Sequence, residues 1–121
     1  MKVEYSSGQD GRCEANLTED SDWQLFNGVA DAILRKFKGK FVEKLDGLDQ
    51  RYWDIEIGEK VVTLRVEHYT GIFLCANDVA VNDLVREIGG YLEGIEPKKM
   101  YQEVFYLKNI FRIRPSRWTK G

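Results

Sequence analysis

From Trp53 to Ile57 the chain alternates, with Trp53, Ile55 and Ile57 on one side and Asp54 and Glu56 on the other. After Gly58-Glu59 the alternation resumes, and Val62, Leu64 and Val66 are set against Thr63, Arg65 and Glu67. Successive side chains of a strand point to opposite faces, so a period of two in β-branched and aromatic residues predicts half-buried strands. Gly58-Glu59 fits a two-residue hairpin turn with glycine first, as a type II′ turn prefers. That turn sets Ile55 opposite Val62 and Trp53 opposite Leu64 on the buried face, and Tyr52 opposite Arg65 on the other. Tyr69-Thr70-Gly71 fits a three-residue loop with glycine in the left-handed position. It would pair His68 with Ile72 and Val66 with Leu74, leaving Phe73 and Cys75 outward. A slip of one residue would reverse that last strand.

Two stretches follow the helical period instead. Trp23, Phe26, Ala30, Ile33 and Phe37 are spaced by three and four, with Val29 and Leu34 widening the stripe. Ser21 with Gln24 three residues later fits a capping box, and Gly39 marks the end. Val81, Leu84, Val85, Ile88, Tyr91 and Leu92 form a second stripe, capped by Asn77 or Asp78, interrupted at Gly89-Gly90 and ended by Gly94. Cys13, Ala15 and Leu17 make Arg12 to Leu17 an edge strand. A short strand is open to Lys2–Tyr5, and Phe41–Leu45 is a strand whose inward face the pattern leaves undecided. Pro97 fits the first turn of a further helix lined by Met100, Val104, Leu107 and Phe111. A hairpin from Val104 to Ile113 is the rival for residues 97–112.

The element order is helix, antiparallel meander, helix. Each helix has one apolar face, so the predicted architecture is a single two-layer α+β domain. Both helices pack on one face of an antiparallel β-meander, with a C-terminal extension. Residues 1–11 and 113–121 are predicted to be mobile ends.

Composition adds limits. With 121 residues there is room for one core, and 43% apolar with 31% charged residues is the balance of a soluble globular protein. The longest apolar run, Ile72 to Ala76, is far short of the roughly 20 residues that span a bilayer. The opening residues lack the apolar core of a secretory signal, and two distant cysteines make no disulfide framework, so a cytoplasmic location is expected. The net charge of −2 is unevenly spread. Residues 97–121 hold seven Lys/Arg against one acid, a net of +6, which leaves −8 on residues 1–96. An acidic body with a basic end points to self-association as a homodimer or to a charged partner.

Chemical motifs are sparse. One histidine and two cysteines without a C-x-x-C cannot build a conventional zinc site, and neither a Walker A, a G-x-G-x-x-G nor an EF-hand loop is present. No cofactor and no metal is expected. Cys75 with His68 is the one nucleophilic pair to weigh. Cys75 precedes a helix N-terminus, where a dipole lowers a thiol pKa, but the predicted register places the two roughly 10 Å apart on opposite faces. The sequence therefore points away from catalysis and toward the outer sheet face. There Tyr52, Arg65, Glu67, Tyr69 and Phe73 form a mixed aromatic and charged patch beside Asp54 and Glu56. Tyrosine and arginine supply interface hot spots through large contact area and directional bonds, so this is the expected surface for another protein. The first alternative is nucleic-acid binding by the basic tail, through Arg112, Arg114, Arg117 and Trp118, against which the −8 body counts. The second is a small hydrolase with a carboxylate site.

The run Asp-Gly-Leu-Asp-Gln-Arg-Tyr-Trp-Asp-Ile (46–55), followed by Leu-Arg-Val-Glu-His-Tyr-Thr-Gly-Ile-Phe-Leu (64–74), resembles a small bacterial domain family of unknown function, over roughly residues 12–95. That resemblance implies a fold and no activity. The helix, meander, helix order is also similar to that of small bacterial immunity proteins. This second likeness would imply tight binding of a toxin, often a basic nuclease, by an acidic surface.

Overall fold

The alternating stretch folds as the predicted hairpin in a computed structural model that describes residues 1–101. Counting strands in chain order, β4 (Gln50–Ile57) pairs with β5 (Lys60–Glu67) across Gly58-Glu59. The pairs Trp53 with Leu64, Ile55 with Val62 and Tyr52 with Arg65 all form as expected. Gly58 has φ +64° and Glu59 does not share the positive φ, which is the type II′ signature. β6 (Gly71–Ala76) continues the meander on one side of β5, and β3 (Lys40–Asp46) flanks β4 on the other. β1 (Glu4–Ser7) and β2 (Cys13–Thr18) complete a six-stranded antiparallel sheet in the order β1-β2-β6-β5-β4-β3.

Burial is one-sided. Cys13, Ala15, Leu17, Trp53, Ile55, Val62, Leu64, Val66, Ile72, Leu74 and Ala76 are buried, and their intervening neighbours are not. They share one core with Phe26, Val29, Ala30 and Ile33 of α1 (Trp23–Phe37) and with Leu84, Val85, Ile88 and Leu92 of α2 (Asn82–Glu93). Both helices therefore lie on one face, the predicted two-layer α+β arrangement. Each large side chain so buried contributes roughly 1.5–3 kcal/mol. α1 carries the chain from β2 past three strands to β3 at the far edge, and Phe37 meets Tyr91 edge-on at 5.8 Å where the helices touch.

Several local expectations shift. The strand open to Lys2–Tyr5 forms two residues later, as β1, and so β2 is not the edge strand expected at Arg12 to Leu17. Helix α1 is capped by Asp22, not by a Ser21–Gln24 box. Asp22 Oδ1 accepts the backbone N–H groups of Gln24 and Leu25 at 2.7 and 3.1 Å, while Ser21 Oγ donates to the carbonyl of His68 at 2.6 Å. Asp78 caps a short 3-10 turn (Val79–Val81) that precedes α2. Helix α2 runs unbroken through Gly89-Gly90, because Gly89 is where the Tyr5 ring of β1 packs against the helix. The inward face of β3 was unreadable because a bulge between Phe41 and Glu43 breaks its period of two. Phe41 and Lys44 both face the helix layer, where the Lys44 ammonium sits 4.0 Å from the Phe41 ring centre and 4.3 Å from that of Trp53. Asp46 Oδ1 accepts the Trp53 indole N–H at 2.8 Å, and Arg51 lies over Trp23 at 4.3 Å. These polar groups cover the aromatic rings at the margin of the core.

The β5–β6 loop is His68-Tyr69-Thr70, with Gly71 inside the strand, so Val66 faces Ile72 and Arg65 faces Phe73. The shift from the expected register is two residues, which keeps every side chain on its expected face. The cause is Gly71 itself, whose φ of +106° and close approach to β2 demand a glycine inside the sheet. At residues 97–101 the chain is helical again, as Pro97 predicts, and Met100 is fully buried. The rest of the expected helix or hairpin lies outside the described residues.

Two glycines give opposite expectations. A Cβ at Gly71 would collide with the carbonyl oxygen of Thr18 in a backbone region that also disfavours side chains, so Gly71→Ala should cost about 2 kcal/mol or more. Gly90 sits in α2 with open space around it, and Gly90→Ala should stabilise by about 1 kcal/mol. Urea denaturation of the two variants checks both signs.

Candidate functional site

The parity that buries Trp53 and Leu64 puts Tyr52, Asp54, Arg65, Glu67, Phe73 and Cys75 on the outer face. Cross-strand pairing lines up Leu45, Tyr52, Arg65, Phe73 and Asn16 in one row over five strands. Arg65 is its hub. Its Nη2 donates to Glu14 Oε1 at 2.7 Å, its Nε lies 3.4 Å from Glu67 Oε1, and its guanidinium covers the Phe73 ring at 4.6 Å. The Nε contact is within ion-pair range but makes no hydrogen bond, so one buried donor of Arg65 stays unsatisfied.

Glu67 is shared. Its Oε1 also accepts the Tyr52 hydroxyl at 3.1 Å, and its Oε2 accepts that of Thr70 at 3.4 Å. Partial desolvation, followed by this bond to a carboxylate, pushes the Tyr52 pKa above its ordinary value. One row along, Asp54 Oδ1 accepts the Thr63 hydroxyl at 2.6 Å. These bonds hold an aromatic and charged surface in one conformation, which lowers the entropy lost when something docks on it.

Of the predicted patch, Tyr52, Arg65, Glu67 and Phe73 come together and Asp54 lies beside them. Tyr69 does not join. It stands in the β5–β6 loop, 92% exposed, with its ring edge-on to His68 at 4.4 Å. Arg112, Arg114, Arg117 and Trp118 lie outside the described residues. Sequence reasoning missed Glu14, because its place opposite Cys75 follows from β2 pairing with β6 across a long connection. Its alternation with Cys13 and Ala15 was the available signal.

The weighed Cys75–His68 pair separates further. Cys75 lies opposite Thr63, while His68 is exposed in the loop beyond the other end of β6, not half-buried opposite Ile72. Nor is the thiol acidified by the following helix. Burial pushes its pKa up to about 11, and the nearby Arg65 charge only partly opposes this. Beside Cys75 is an open depression of about 240 Å³, rimmed by Asp10 and Arg12 and floored by Tyr52, Thr63 and Arg65. It is smaller than the roughly 300–1,000 Å³ of small-molecule sites. Among the described residues, no group of three or more His, Cys, Asp or Glu is placed to hold a metal ion, and no helix is long and apolar enough to cross a membrane.

A family model described as Protein of unknown function (DUF3630) matches residues 8–88. The chain belongs to the DUF3630 family. The matched range runs from the β1–β2 turn into α2 and contains the whole Arg65 network, while β1 and residues 97–121 fall outside it. No curated protein and no solved structure matches the chain.

The raised thiol pKa has a thermodynamic signature. An unfolded chain releases the Cys75 proton near pH 9 but the folded chain holds it until about pH 11. The contribution is therefore complete below pH 9 and lost as pH rises toward 11. Urea stability measured between pH 8 and 11 should fall less steeply in Cys75→Ala than in the wild type. Parallel slopes would contradict the assignment.

Proposed function

We propose that this DUF3630 chain is a non-enzymatic, cytoplasmic protein-binding module that takes another protein on the outer face of its sheet. The observation that carries this reading is the row Tyr52, Arg65, Phe73, held rigid by Glu14 and Glu67 on the face opposite both helices. Arginine and tyrosine in a fixed, half-desolvated setting are the residues that dominate interface energies. The shallow depression beside them suits a protein segment better than an enclosed ligand. Of the outer-face carboxylates, Glu67 is engaged with Arg65 and Tyr52, and Asp54 with Thr63. The location rests on Cys13 and Cys75, which are both free and point to opposite faces, as suits a reducing compartment. The match to a family of unknown function names no activity, and the resemblance to immunity proteins gains no support from it.

The test is capture of partners from the native host by the wild type, by Tyr52→Ala with Arg65→Ala, and by Glu87→Ala on the exposed side of α2. Wild type and Glu87→Ala should retain a common partner that the double variant loses, with affinity reduced at least about 30-fold, as expected of hot-spot truncation. Circular dichroism melts establish that the double variant is folded. A partner held equally by all three proteins would remove the outer face from consideration.

A further inference from the structure

The outer face is strongly acidic. Among its strand residues Glu4, Glu14, Glu43, Asp54, Glu56 and Glu67 stand against Lys40 and Arg65, a net of −4, and Asp10 and Arg12 at its rim pair with each other. The opposite layer has no such bias, since α1 and α2 together carry four acids and three bases. Residues 102–121 have the complementary sign. Lys108, Arg112, Arg114, Arg117 and Lys120 against Glu103 give +4, interleaved with Phe111 and Trp118.

We propose that residues 102–121 dock on the acidic outer face of their own sheet and act as its built-in occupant. This rests on the reading of that face as a docking surface, and it adds the class of partner: a basic, aromatic-bearing polypeptide segment that must displace the chain's own. The described chain ends within reach. Met100 is anchored in the core, and the Tyr101 hydroxyl donates to Asp20 Oδ2 at 3.1 Å, just past the end of β2. Twenty residues span at most about 70 Å when extended, against a six-strand sheet only about 25 Å across. Tethering makes the demand on affinity small. A short linker holds its end at an effective concentration of about 1 mM, so an intrinsic Kd near that value already fills half of the faces. Exposed opposite charges supply attraction of that order, and it weakens with salt.

Carbodiimide cross-linking of the full chain, read by peptide mass spectrometry, tests the proposal. An equal mixture of isotopically light and heavy protein separates links within a chain from links between chains. Lys108 and Lys120 should join outer-face acids such as Glu43, Asp54 or Glu67 within one chain. The excess over links to Asp83, Glu87 and Glu93 of α2 should be several-fold, and high ionic strength should abolish it. Links dominated by light–heavy pairs would make a second copy the occupant and overturn the proposal. So would equal labelling of both layers, or no link from the segment at all. If partner capture still depends on Tyr52 and Arg65 in that case, the docking face stands and only its internal occupant is lost.

Discussion

Trp53 against Leu64 and Ile55 against Val62 form the pairing on which the molecule turns, because it commits each strand to one wet and one dry side. A sheet side chain has only two directions, so a register error of one residue would send Trp53 to solvent and Arg65 into the core. The Gly58 turn removes that freedom by closing the hairpin in two residues. The same parity that builds the core also assembles Tyr52, Arg65, Glu67 and Phe73 on the far side. Core and candidate site are two consequences of one constraint.

The outer face holds itself together by electrostatics in a half-wet setting. Exposed ion pairs contribute at most about 1 kcal/mol each. Arg65, with Glu14 and Glu67 on either side and Phe73 beneath, is better regarded as a positioning device than as a source of stability. Its three partners come from β2, β5 and β6, so the network reports on the integrity of half the sheet. The arrangement also leaves a half-buried thiol at Cys75, with its pKa raised to about 11. What the surface presents is a set of fixed donors and acceptors, a ring face and a net negative charge.

At the margins the fold relies on less regular devices. Lys44 lays its cation over Phe41 and Trp53, and Arg51 over Trp23 at the start of α1. Asn82 joins the start of α2 to the other edge, accepting the N–H of Cys13 at 2.7 Å and donating to the carbonyl of Gly11 at 2.9 Å. Tyr5 does the same from β1 by packing on Gly89. The Asn82 bond also satisfies the partly buried N–H of Cys13.

Read alone, the sequence determined the alternating central strands, the two amphipathic helices, the type II′ turn and the face on which Tyr52, Arg65 and Phe73 would appear. These are local matters, since a period of 2 or 3.6 residues and a glycine's backbone freedom act over a few positions. Tertiary structure decided that β2 pairs with β6, bringing Glu14 to Arg65 from 51 residues away. It also decided that Gly71 serves the approach of β2 instead of the loop, that the β3 bulge turns Lys44 inward, and that Tyr69 stands apart from the patch. Such outcomes depend on which distant backbone comes to lie alongside. Periodicity carries no information about that, because a strand's alternation is the same whichever neighbour it finds.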